Sequence, residues 1–182
     1  DIFRTNFENQ MIYDLEKSYN AIYVYNMDKL CYSNSIQALF EYELIENLNM
    51  RLAYRWFDVY QNYEGIGQLQ APLVAKNRGF LNLAYKTYTE WMFDATLQWV
   101  GEKRIPYYAT YSQEYFMIMA QITKNFADHW SVYLGCENIT NFTQDSPIIS
   151  ADRPFDDTFD ASLVWGPIYG RMFYLGFRYN LN

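Results

Sequence analysis

Arg171-Met-Phe-Tyr-Leu-Gly-Phe-Arg-Tyr-Asn-Leu-Asn182 is the stretch on which the fold class turns. Phe173, Leu175, Phe177, Tyr179 and Leu181 alternate with Tyr174, Gly176, Arg178 and Asn180. Successive side chains of a strand point to opposite faces. One face of this segment is wholly apolar; the other carries a charge, an amide and a glycine. A period of two, not 3.6, marks it as a strand dividing a greasy side from a polar one.

The same period runs backwards through the chain. In Trp130–Asn138, Trp130, Val132, Leu134 and Cys136 oppose Ser131, Tyr133, Gly135 and Glu137. In Glu114–Asn125, Phe116, Ile118, Ala120 and Ile122 oppose Tyr115, Met117, Met119, Gln121 and Thr123. Trp91–Glu102 sets Phe93, Ala95, Leu97 and Trp99 against Asp94, Thr96 and Gln98. Val74–Thr87 sets Leu81, Leu83 and Tyr85 against Arg78, Asn82 and Lys86. Leu48–Val59 and Ser35–Leu44 repeat the pattern, with Leu52, Tyr54, Trp56 and Phe40 opposing Arg51, Arg55 and Glu41. The first segment, Asp1–Gln10, is the weakest: Phe3 and Phe7, with Met11 beyond, oppose Arg4, Glu8 and Gln10. That makes about eight strands, most near the ~9–11 residues that cross a bilayer at a tilt. Tyr19–Met27 reads either as a ninth strand or as an arm of a hairpin beyond the membrane, and the arm is favoured because eight crossings keep the links alternating.

The links alternate in length. Glu43–Asn49, Tyr88–Glu90 and Phe126–His129 are short; Tyr13–Asn34, Tyr60–Leu73, Lys103–Gln113 and Ile139–Gly170 are long. Short turns at one end and long loops at the other characterise outer-membrane barrels. The last strand then runs from the outside inward.

Composition agrees. The 182 residues are 51% hydrophobic, yet the mean hydropathy is -0.31. Tyrosine reconciles the two: 19 Tyr, 13 Phe and 5 Trp make the chain 20% aromatic. A sugar-binding surface or the aromatic girdles of a membrane barrel would use such an excess. The net charge of -7 disfavours a nucleic-acid partner. Cys31 and Cys136 have no metal or redox spacing and fall on different faces, and the single His129 cannot build a metal site. No apolar run reaches the ~18 residues of a transmembrane helix. Residue 1 falls inside a strand-like pattern with no signal peptide, so a mature or truncated product is expected.

Charge placement separates a membrane barrel from a soluble one. Backbone in hydrocarbon must be satisfied within the protein, which a closed sheet achieves. Arg4, Glu8, Glu41, Arg51, Arg55, Arg78, Lys86, Asp94, Gln98, Glu137 and Arg178 all fall on polar faces. The facing sides are rich in Trp, Phe, Tyr and Leu, where a charge would cost about 2–4 kcal/mol at the bilayer midplane. The expected fold is an all-β, transmembrane, antiparallel up-and-down barrel with those polar residues lining the lumen. An antiparallel sandwich with one solvated face remains the alternative.

The segment Asp160-Ala-Ser-Leu-Val-Trp-Gly-Pro-Ile-Tyr-Gly-Arg-Met-Phe-Tyr-Leu-Gly-Phe-Arg-Tyr-Asn-Leu181 resembles the end of TonB-dependent outer-membrane receptors of the Bacteroidetes type. Phe3-Arg-Thr-Asn-Phe-Glu-Asn-Gln10, Arg51-Leu-Ala-Tyr-Arg-Trp-Phe-Asp-Val59 with Pro72-Leu-Val-Ala-Lys-Asn-Arg78, and Tyr133-Leu-Gly-Cys-Glu-Asn-Ile-Thr-Asn-Phe-Thr-Gln144 resemble further strands of that family. The resemblance implies a barrel of roughly 22 strands, of which residues 1–182 would be the C-terminal part, without plug domain or N-terminal strands. It implies import of a scarce nutrient across the outer membrane. Its implied partners are outer-membrane lipid, the rest of the receptor, surface lipoproteins, and the TonB complex through the missing N-terminal region. It brings no cofactor. Two other readings stay open: a complete eight-stranded barrel with a structural or adhesion role, and a soluble carbohydrate-binding sandwich.

Remaining motifs have plainer readings. Asn138-Ile-Thr and Asn141-Phe-Thr match a glycosylation sequon but read as Asn turn chemistry. Asp145, Asp152, Asp156, Asp157 and Asp160 fill an acidic outer loop without EF-hand spacing. Arg51, Arg55 and Arg78 could meet an anionic substrate, or pair with a plug or with Glu41, Asp94 and Glu137. No nucleophile–base constellation supports catalysis.

Overall fold

The period-two segments become hydrogen-bonded strands, and the linkers gather at their two ends. The computed structural model describes every residue except 19, 20, 108, 109, 127, 128, 180 and 182. Its strands are β1 (Ile2–Phe7), β2 (Gln10–Asp14), β3 (Tyr23–Met27), β4 (Cys31–Ile45), β5 (Leu48–Tyr63), β6 (Gly67–Gln70) and β7 (Asn77–Lys86). There follow β8 (Trp91–Val100), β9 (Arg104–Ile105), β10 (Thr110–Tyr111), β11 (Tyr115–Phe126), β12 (Trp130–Glu137) and β13 (Met172–Tyr179). β1, β4, β5, β7, β8, β11, β12 and β13 form one antiparallel sheet in that order, with β6 appended to β5. Each main strand pairs with the next in sequence, the up-and-down order expected.

Register puts whole rows of like side chains side by side. On one face Tyr42, Met50, Leu83, Ala95, Ala120, Cys136 and Phe173 are successive cross-strand partners over seven strands. The row above, Phe40, Leu52, Leu81, Leu97 and Ile118, is equally apolar. On the opposite face Glu43, Asn49, Ala84, Asp94, Gln121, Gly135 and Tyr174 share a row. A one-residue slip would swap the two faces, so the register itself keeps them apart.

The apolar face is bare. Phe173, Leu175 and Phe177 are 73%, 74% and 70% exposed. Among the described residues no second sheet covers it, which removes the sandwich reading. From Leu48 to Trp56 on β5 this face spans about 26 Å along the strand at ~3.3 Å per residue. A tilt of ~40° reduces that to about 20 Å, close to the ~25 Å apolar band of a membrane barrel. Aromatic residues bracket it, with Tyr54 and Trp56 at one level and Tyr85, Trp91, Phe93 and Trp130 toward the other. Lys124 is a cation on this face, opposite Trp91 and Val132. Its ammonium bends away to the Thr89 carbonyl and lies 5.3 Å from the Trp91 ring centroid. Long cations near an interface reach for polar ground in this way.

The links sort as expected. β4–β5, β7–β8 and β11–β12 are joined by short turns, and the long connections all lie at the other end. Asn47 (φ 64°) and Glu90 (φ 63°) adopt left-handed conformations in two of the turns. The Asn47 amide N–H donates to Glu43 Oε1 at 2.8 Å, which helps hold that bend. The Phe126–His129 turn includes 127 and 128, and Asn180 and Asn182 end the closing segment; these positions lie outside the described residues. So do Tyr19 and Asn20, but the rest of the Tyr19–Met27 segment contains β3, paired with β2 in a separate hairpin at the long-loop end. The Tyr60–Leu73 link is more ordered than expected: β5 continues to Tyr63 and folds back onto β6.

The first strand departs from its sequence reading in two ways. Asp1–Gln10 was expected to be one strand with Arg4 and Glu8 on the polar face. β1 stops at Phe7, and Glu8 sits in the bend leading to β2. Arg4 pairs with Asn34, which lies across from Asp58, on the face that also carries Ile36 and Trp56. The Arg4 correction follows from height along the strand. At this height the outward side has already passed from Ile36 and Trp56 to Asn34, Asp58 and Lys76, with Lys76 Nζ 2.8 Å from Asp58 Oδ1. Polar residues there no longer signal the inner face. β1 and β13 do not pair with each other, so the described strands form an open wall and the self-closed eight-stranded barrel gains no support.

Candidate functional site

The polar face is the surface with chemistry to offer. Arg51 Nε meets Glu41 Oε1 at 2.5 Å, an ion pair across β4 and β5. Across β7 and β8, the Asn82 amide nitrogen donates to both Asp94 carboxylate oxygens at 3.0 Å and to Thr96 Oγ1 at 2.9 Å. Farther round, Tyr174 OH on β13 donates to Gln121 Oε1 on β11 at 3.0 Å. The donor reaches over the intervening β12 because Gly135 lies beneath its ring. A Cβ at Gly135 would fall 2.2 Å from Tyr174 Cζ. Gly176 and Tyr133 repeat the arrangement, with a Cβ at Gly176 falling 2.3 Å from the Tyr133 ring. Side chains from six strands thus tile the face with polar pairs.

Near its long-loop end the face changes character. Gln37, Arg55, Arg78 and Val100 share a row, so two arginines stand directly opposite one another. They line a groove of about 650 Å³ with Leu39, Phe80 and Gln98. Arg55 Nε is buried and has no hydrogen-bond partner, and the guanidinium carbon lies 4.9 Å from the Phe57 ring centroid. Lys103, in the loop beyond, is a third cation. Burial lowers its ammonium pKa, and nearby Arg78 pushes the same way. Its Nζ donates to the Trp165 carbonyl.

The long loops are bound together by a buried ion pair. Arg104 Nη2 lies 2.6 Å from Glu16 Oε1, with side chains only 7% and 8% exposed. Arg104 Nε also donates to the Gln70 carbonyl at 2.6 Å, and the Tyr107 N–H donates to Glu16 Oε2 at 2.8 Å. Three separate loops therefore meet at one guanidinium. Beneath them Ile12, Met27, Cys31 and Tyr63 form a small apolar core. Burial drives the Tyr63 phenol pKa upward.

Of the polar residues picked from sequence, Glu41 and Arg51 are brought together, and so are Arg55 and Arg78. Asp94 finds Asn82, not an arginine. Gln98 joins the Arg groove. Glu137 stands opposite Met172 and Arg178 opposite Ser131, both on the polar face but distant from the groove's row. Lys86 pairs instead with Glu90 at 3.0 Å in the turn. Asn82, Gln121, Tyr174, Glu16 and Arg104 were missed as partners. Glu16 and Arg104 stand 88 positions apart and leave no local trace. The row of Gln121 and Tyr174 could have been found by following parity across strands.

The turn reading of the Asn-rich segment holds. Asn138 (φ 49°) and Asn141 (φ 54°) are left-handed. The Asn138 amide is buried and donates to Phe142 O at 2.7 Å and Tyr169 O at 3.1 Å. In the acidic loop, Asp156 accepts the Thr158 N–H at 3.1 Å and Asp160 accepts the Ser162 N–H at 2.7 Å. Cys31 and Cys136 are both free.

No protein-family profile and no curated protein matches this chain. Solved structures do. The ferric enterobactin receptor PfeA of Pseudomonas aeruginosa, as a Q482A mutant with enterobactin, superposes with a TM-score of 0.69 at 13% identity, covering 97% of this chain and 28% of that one. BauA, the ferric preacinetobactin receptor of Acinetobacter baumannii, gives 0.66 at 15% identity, covering 98% and 26%. Fiu, the ferric-catecholate import receptor of E. coli K12, gives 0.65 at 10% identity, covering 98% and 24%. The chain spans about a quarter of the length of these receptors. At such identities the likeness is one of fold: an antiparallel β-barrel wall.

Proposed function

We propose that this chain is the C-terminal barrel wall of a TonB-dependent outer-membrane receptor that imports a scarce nutrient. The observation that carries the reading is the pairing of two unlike faces on one sheet. Unbroken apolar rows cross seven strands on one side, and polar pairs tile the other. In lipid, the apolar rows face hydrocarbon and the polar rows, from Glu41 to Arg178, line the lumen. The long loops face outward. Further strands and a plug domain supplied by other polypeptide would complete the barrel, since an unpaired strand edge is not tolerated in hydrocarbon. The C-terminal motif supports the Bacteroidetes type. TonB would act through the plug side, with surface lipoproteins as outer partners. The structural neighbours suggest a ferric chelate as the first cargo to try.

The test has two steps. The full-length protein is localised by membrane fractionation, then uptake of labelled ferric catecholates and other scarce nutrients is compared in cells with and without its gene, and with and without TonB. Detergent-dependent recovery from the outer membrane and TonB-dependent uptake of one cargo are expected. Recovery in the aqueous fraction without detergent would overturn the reading.

A further inference from the structure

The opposed arginines pose an electrostatic problem. Partners in one row have Cβ atoms roughly 4.5–5.5 Å apart, and like charges placed so destabilise a sheet. Two other charges on this face are answered by neighbours: Arg51 has Glu41, and Asp94 has Asn82. Arg55 and Arg78 have no carboxylate partner among the described residues, and Arg55 Nε is buried without any acceptor. Asp1 lines the same groove without an ion pair to either. The Arg55 Nε, withdrawn from water, lacks an acceptor, and an anion between two neighbouring guanidinium groups, with Arg78 exposed, would relieve their repulsion.

We infer that Arg55 and Arg78 form a receptor for one oxyanion, a carboxylate or phosphate group, seated in the groove they share with Gln37 and Gln98. Two planar forks offered from directly opposed positions of adjacent strands suit the bidentate geometry that oxyanions accept. The Gln37 and Gln98 side chains each offer amide donors to the outer oxygens. Leu39, Phe80 and Val100 supply low-dielectric walls that strengthen the attraction. The anion can arrive free, as a small solute or the charged group of a cargo. Alternatively it can be the carboxylate of a segment packed on this face. The site rests on the assignment of the polar face to the lumen, but its test does not depend on transport.

The test uses the detergent-purified full-length protein and inorganic phosphate as probe, at constant ionic strength. Binding is measured by calorimetry and stability by the melting midpoint, for the wild type, Arg55→Met and Arg78→Met. Methionine keeps an aliphatic stem, so packing against Phe57 is largely retained while the charge is removed. If the anion is free, phosphate binds the wild type, and each substitution weakens binding about 10- to 100-fold, the effect of losing a charged hydrogen bond. If the anion is an internal carboxylate, phosphate does not bind, and both variants melt below the wild type because that carboxylate loses its partner. The inference is overturned if phosphate fails to bind and either variant melts at or above the wild type, as relief of bare repulsion requires. Phosphate binding unaffected by the substitutions overturns it too. Should a methionine variant fail to accumulate, Arg55→Lys and Arg78→Lys keep the charge but lose the fork, and the same signs are expected.

Discussion

Replacing Glu16 with leucine should release the long loops from one another. The Glu16 carboxylate holds Arg104 at 2.6 Å and the Tyr107 N–H at 2.8 Å. With both side chains less than a tenth exposed, the loss strands a buried guanidinium. Breaking one side of a buried pair costs about 3–5 kcal/mol. The remaining bond to the Gln70 carbonyl puts the expected cost at the lower end, about 3 kcal/mol. That is roughly a hundredfold shift in the loop-opening equilibrium. The assay is hydrogen exchange, read by mass spectrometry on peptides covering 101–107 of the full-length protein in detergent. The barrel strands should keep their protection while this loop loses its own. The double variant Glu16→Leu/Arg104→Met should recover most of it, because two apolar groups of similar size can replace a buried pair at little cost. The reasoning fails if the single variant exchanges within about threefold of the wild type, well inside the hundredfold expected. It fails equally if the double variant opens more than the single.

Three further outcomes follow from the geometry. Gly135→Ala forces the Tyr174 ring off its seat and breaks its bond to Gln121. Overpacking and the lost hydrogen bond together should cost about 2–4 kcal/mol, seen as a lower unfolding midpoint in denaturant titration; Tyr174→Phe, which keeps the clash absent, should cost much less. Leu83→Arg places a charge in the middle of the apolar rows and should cost about 2–4 kcal/mol in lipid vesicles, whereas Asn82→Arg, one residue away on the polar face, should not; equal effects would contradict the face assignment. Asp156 has its carboxyl pKa held down, chiefly by the Thr158 backbone N–H and then its hydroxyl. A depressed carboxylate contributes its stability above the unfolded value of 3.8 and loses it as pH falls through the folded value. Exchange protection at Thr158 should therefore be intact at neutral pH and vanish below pH 3.8, and Asp156→Asn should abolish that dependence.

The wall was legible because a strand reports its two faces residue by residue. Phe173 through Tyr179, or Leu48 through Trp56, needs no knowledge of its neighbours to be divided into sides. What failed was the step from side to environment. At Arg4 the alternation was real, but height above the apolar band had changed what each side meets. Only the register with Asn34 and Asp58 shows that. Glu8 failed differently: Asn9, left-handed at φ 55°, ends the strand, and nothing in the spacing of Phe3, Phe7 and Met11 announces it. The arginine groove was half visible, since Arg55 and Arg78 were each placed on a polar face. Their opposition depends on where β7 starts relative to β5, which is set by how far the intervening link and β6 fold back. The Glu16–Arg104 contact joins loops remote in sequence and lies beyond any local pattern.

Each main strand lies beside its sequence neighbour, and every second link between them is a short return turn. Closing such contacts costs little chain entropy and favours early pairing of adjacent segments. A hairpin such as β7–β8 shares its ladders only with β5 on one side and β11 on the other. Excising or duplicating that pair preserves the direction of every other strand and the side to which every other residue points. The architecture is therefore modular in units of two strands, so lineages can widen or narrow it by hairpin without redesigning the remainder.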